Sequence, residues 1–141
     1  MAELQFSTGI KTYSVNGVDN VFAINPTDAD FVERLYHTFE DLDKKQQAKD
    51  KEAAKTSGID AFELARSYDL EMRRAIDGVL GDGVCGKVFG GMNVYAMAGG
   101  LPVWANFLLS LMDECDTSFA CQQKKMNPRI KHYLAKYQRK R

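Results

Sequence analysis

At 141 residues, 45% apolar and 27% charged, the chain is long enough to fold around one core without metal or disulfide staples, and too apolar for wholesale disorder. Formal charge sums to zero but is unevenly spread: eleven cations face nineteen anions before Lys124, a net of −8, and eight cations with no anion follow, a net of +8. The first ten residues hold no basic segment leading into an apolar run, and the longest strongly apolar run, Phe107 to Met112, falls far short of the roughly 20 residues of a membrane helix, so neither a secretory leader nor a membrane span is expected.

Residues 4 to 26 alternate between apolar and polar. Tyr13 and Val15, then Phe22 and Ile24, suit two short strands turning at Asn16-Gly17, a hairpin whose apolar side needs helices to lie on. Asn25-Pro26-Thr27-Asp28 reads as a helix start: Asn25 or Thr27 as cap, Pro26 in the first turn, Asp28 and Asp30 near the positive end. The helix is expected over 27 to 56, with Phe31, Leu35, Phe39 and Leu42 as its stripe and Tyr36 beside it. From Asp43 to Lys55 the stripe disappears, as in a solvated extension or a lever that meets another surface, and Gly58 ends it. A capping box of Asp60 and Glu63, with Ile59 stapled to Leu64, predicts a second helix over 60 to 80 that buries Tyr68, Met72, Ala75, Ile76 and Val79, keeps Arg66, Arg73 and Arg74 wet, and runs antiparallel to the first. Glycines at 81, 83, 86, 90 and 91 then punctuate short turns between 83 and 98, with Val84, Val88 and Phe89 pointing inward.

The densest apolar stretch is Met92 to Cys121. After Pro102, Trp104, Phe107, Leu108, Leu111, Cys115 and Phe119 recur at steps of three and four, which predicts a helix over 102 to 125. Val103, Leu109 and Met112 widen its face so far that self-association or a partner helix is expected to help cover it. Asn127-Pro128 opens a last helix over 128 to 138, with Ile130, Leu134 and Tyr137 on one side and Lys131, Lys136, Arg139 and Lys140 largely on the others. The expected fold is mainly α: a single helical domain with a short N-terminal β-hairpin (1–26), a helical body (27–126) and a basic C-terminal helix (127–141).

No chemistry stands out. Gly81 to Gly86 spells G-x-G-x-x-G, but a helix rather than a strand leads into it, and Ala105 and Asn106 occupy the distance at which an acid is required. Cys85, Cys115, Cys121, His37 and His132 do not pair at metal-ligand spacing, and their odd cysteine count fits buried small hydrophobes in a reducing, intracellular setting. Neither histidine has a nucleophile near it in sequence, and Asp113, Glu114 and Asp116 suit the polar edge of a helix. No catalytic, metal or cofactor site is expected. The basic tail, with Tyr133 and Tyr137 among its cations, suits a helix laid on the acidic body, a protein-docking helix, or a nucleic-acid grip that the −8 body opposes.

The order of hairpin, NPTDADFVERL helix start, charged helical hairpin, Gly-rich turn with MNVYAMAGGLPVWANFLLSLMDE, and NPRIKHYLAKY resembles the tail assembly chaperones of long-tailed phages and prophages of Gram-positive bacteria, over roughly Phe6 to Tyr137. The resemblance implies a non-catalytic protein of the bacterial host's cytoplasm that binds the tape measure protein, keeps it soluble and supports polymerisation of the tail tube protein around it. A client of that kind calls for an adaptable apolar grip, which Met72, Met92, Met97 and Met112 among aromatic residues suit. The expected contacts are Tyr95, Met97, Trp104 and Leu108, with Lys124, Lys125, Arg129 and Lys131 as a second, electrostatic grip. Two other classes fit the same pattern: a phage connector or inhibitor of a bacterial defence enzyme, and a nucleic-acid-binding protein working through its C-terminal helix.

Overall fold

The computed structural model describes residues 1–125 and 127–138 and begins with an antiparallel hairpin of β1 (Lys11–Val15) and β2 (Val18–Ile24). Asn16 (φ 48) and Gly17 (φ 84) both take the left-handed conformation that a tight hairpin turn needs, and Asn20 (φ 55) absorbs a bulge in β2. Register sets Tyr13 opposite Phe22, their rings stacked at 5.2 Å, and Phe22 meets Phe107 edge-on at 6.2 Å. The hairpin thus lies on the helical body, as its alternation requires.

Helix α1 (Ala29–Ala53) is capped by Asp28, whose carboxylate accepts from the Asp30 N–H at 3.0 Å. Asn25 and Thr27 do not cap it: the Asn25 side-chain oxygen accepts from the Thr27 N–H and hydroxyl, each at 2.8 Å, so Pro26 falls ahead of the helix. Helix α2 (Ile59–Leu80) starts at Gly58 (φ 66) with no side-chain cap, and Ile59 is exposed. The expected capping box does not form because the helix opens one residue early, which moves Asp60 from the cap into the first turn.

Arg73, expected on the wet side, is a clamp. Its Nε donates to Asp69 at 3.0 Å, and its Nη2 donates to the Gly90 and Met92 carbonyls at 2.9 and 2.7 Å. Asp69 in turn accepts from the Val94 N–H at 2.7 Å. The glycine-rich segment is thereby pinned to α2. Between them, Asp77 accepts from the Gly83 and Cys85 N–H groups at 3.3 and 2.9 Å, so the open end of α3 (Val84–Phe89) is capped from within and G-x-G-x-x-G is a helix joint.

A second small hairpin, β3 (Met97–Ala98) with β4 (Leu101–Pro102), turns on Gly99 (φ 62) and Gly100 (φ 84) and delivers the chain into α4 (Val103–Lys124). The last helix is α5 (Arg129–Gln138); Arg139 and Lys140 lie outside the described residues.

The core surrounds α4. Trp104, Phe107, Leu108, Leu111 and Cys115 are all buried within one chain, against Phe39 (5.6 Å from Trp104), Phe89 (5.8 Å from Phe107), Leu35, Met72 and Ile76. One chain thus covers most of the α4 face but not all of it: of the stripe Phe119 stays exposed, and Met112 beside it is half-buried. Part of the cover comes from the polar half of α1. Gln46 accepts from the Trp104 indole at 2.9 Å, the Lys49 ammonium sits 4.6 Å from the Tyr95 ring centre, and Glu52 accepts from the Tyr68 hydroxyl at 2.8 Å. The stripe vanishes there because the partners of that half of α1 are polar atoms and a ring face, which polar and long side chains meet best.

Candidate functional site

The expected contact residues divide by burial. Trp104, Leu108 and Tyr95 are 2%, 1% and 7% exposed, which corrects their reading as contacts: a client cannot touch them while the body stays closed. Met97 is exposed on β3, and Lys124, Lys125, Arg129 and Lys131 are exposed at the α4 end and on α5. Among the methionines, Met92 and Met97 are exposed, Met72 is fully buried and Met112 is half-buried.

An open apolar surface lies elsewhere. Between the first turns of α1 and the C-terminal half of α4 lie two adjoining hollows of about 470 and 400 Å³. Ala29, Val32 and Tyr36 form one wall and Met112, Cys115 and Phe119 the other, with Glu33 and Asp116 as the charged residues in the lining. Val32, Tyr36 and Phe119 are exposed. Val32 and Tyr36 each follow a buried residue of the α1 stripe, Phe31 and Leu35, and so flank the core face rather than join it. One signal for the groove was present in the sequence: Tyr36 is a large aromatic side chain set beside a stripe that is already complete.

Cys115 on the groove wall is held above the usual thiol pKa by burial, with Asp116 and Glu114 adding to the effect. Cys85 is shifted the same way by burial and Asp77, so both are protonated, weakly nucleophilic thiols; Cys121 is exposed. Tyr13 donates to Glu114 at 2.6 Å, and burial together with that bond keeps its phenol protonated. Among the described residues no three His, Cys, Asp or Glu side chains converge to hold a metal ion. No helix among them is long and apolar enough to cross a membrane.

The second open surface is α5. Ile130, Tyr133 and Leu134 lie one helical turn apart and are 73%, 47% and 58% exposed, so the basic helix does not rest its apolar side on the body.

Fold and surface together define a small, mainly α protein with a closed core, an apolar groove lined by acids and an amphipathic basic C-terminal helix. The chain belongs to the family of unknown function DUF6673, whose family model matches residues 16–141. No curated protein and no solved structure matches it.

Proposed function

We propose that this protein is a tail assembly chaperone that binds the tape measure protein and supports tail tube polymerisation without catalysis. The reading is supported by the resemblance of residues 6–137 to such chaperones. The observation that carries it is the open groove between α1 and α4, where Val32, Tyr36, Met112 and Phe119 offer an adaptable apolar bed of the kind an amphipathic client helix occupies. A long helical client is held by many weak apolar contacts, so one groove per chaperone suffices.

The test is co-expression with fragments of the tape measure protein, reading the soluble fraction of the fragment. Native chain is expected to keep the fragment soluble, and Val32→Asp or Phe119→Asp to abolish the effect while circular dichroism stays unchanged. If the native chain leaves the fragment as insoluble as it is alone, the chaperone reading is wrong. Exposure of Tyr133 beside the α5 cations favours a second reading, nucleic-acid binding, which predicts retention on DNA that falls steeply with salt.

A further inference from the structure

Groove and helix are complementary in one molecule. The groove is apolar, its charged lining residues Glu33 and Asp116 are both acidic, and it belongs to a body of net charge −8. Helix α5 presents Ile130, Tyr133 and Leu134 as an apolar ridge flanked by Arg129, Lys131 and Lys136, within a segment of net charge +8. Each surface lacks what the other offers, and both stand open in the single chain.

We propose that α5 of one copy docks in the α1/α4 groove of a second copy, and that the exchange is reciprocal, giving a two-fold dimer. The occupant follows from charge: an amphipathic cation meets an apolar trough with acids at its edge, and like ends of the molecule repel, so association is forced into body-to-tail pairing. Reciprocity follows from having one groove and one helix per chain: two copies satisfy both and leave neither surface open, as closed symmetry requires. The inference concerns the pure protein and stands whether or not the groove also receives a tape measure helix. If it does, the client competes with α5.

Sedimentation of the full chain tests this first. The expected mass is that of two chains, with dissociation at least about 30-fold easier for Leu134→Asp, a substitution at a buried interface anchor. Dissociation should also ease by about tenfold between low and high salt, because the flanking ion pairs are screened. Ile130→Asp serves as a second variant, and circular dichroism reports folding of both.

Cross-linking then locates the contact. In a Cys121→Ser background, chains carrying Val32→Cys are mixed with chains carrying Ile130→Cys and oxidised. A covalent pair joining the two kinds of chain is expected. Three results each overturn the proposal: a monomer at high concentration, a dimer in which these two positions never join, and a doubly substituted chain that closes the bond within itself. Loss of tape measure binding with the dimer intact would count against the chaperone reading alone.

Discussion

Tyr95 and Trp104 show how burial assigns polar atoms their roles. The Trp104 indole N–H is satisfied by Gln46, whereas the Tyr95 hydroxyl is buried with no hydrogen-bond partner among the described residues. Removing an unsatisfied buried hydroxyl relieves its desolvation cost, so Tyr95→Phe is expected to stabilise the chain by about 1 kcal/mol, seen as a rise of ~4 °C in Tm. Lys49 keeps an aromatic face to sit on. Gln46→Ala acts in the opposite sense: it strands the indole N–H in a site where Trp104 is 2% exposed, at a cost of about 1–3 kcal/mol, measured as a lower urea midpoint with an unchanged slope. If Gln46 were a solvated surface residue, the change would be within about 0.5 kcal/mol.

At the scale of elements, α1 and α5 are opposites. The polar half of α1, by its sequence a solvated extension or a lever that meets another surface, covers part of the core through hydrogen bonds to Trp104 and Tyr68, a cation over the Tyr95 ring and an ion pair between Lys45 and Glu71 at 3.9 Å. Helix α5 reads as amphipathic enough to lie on the body yet leaves Ile130 and Leu134 exposed. Deleting residues 127–141 is therefore expected to leave the thermal unfolding of the remaining chain within about 2 °C of the full chain, measured at a concentration low enough to keep the full chain monomeric. A large loss of Tm there would show that α5 contributes to the fold of its own chain.

Across the whole molecule, buried acids of high pKa set the pH response. Tyr13, Tyr95, Cys85 and Cys115 are all held above their ordinary values, chiefly by burial. The sign follows from proton counting: above the ordinary thiol and phenol pKa values of about 8.5 to 10, the unfolded chain releases protons that the folded chain keeps, so folding loses ground as pH rises. Stability from these groups is complete below that range. Tm is expected to stay level with respect to them up to about pH 8 and to fall progressively beyond it; a Tm that climbs between pH 8.5 and 10.5 would contradict the burial of these groups.

Much of this protein was legible in its residues. The hairpin turn at Asn16-Gly17, the helix breaks at Gly58, Gly81 and Asn127-Pro128, and the stripes of α1, α2 and α4 are local signals, since each depends on backbone conformation or on the 3.6-residue period of one segment. The charge division at Lys124 is likewise a property of the chain alone. Tertiary structure decided which apolar residues are used up. Trp104 and Leu108 stand in the richest apolar stretch and are closed over, while Phe119 of the same stretch, with Val32 and Tyr36 from beside the α1 stripe, lines an open groove. Periodicity reports that a face is apolar; only the tertiary packing of α1 and α4 determines which of its residues meet another helix and which are left open.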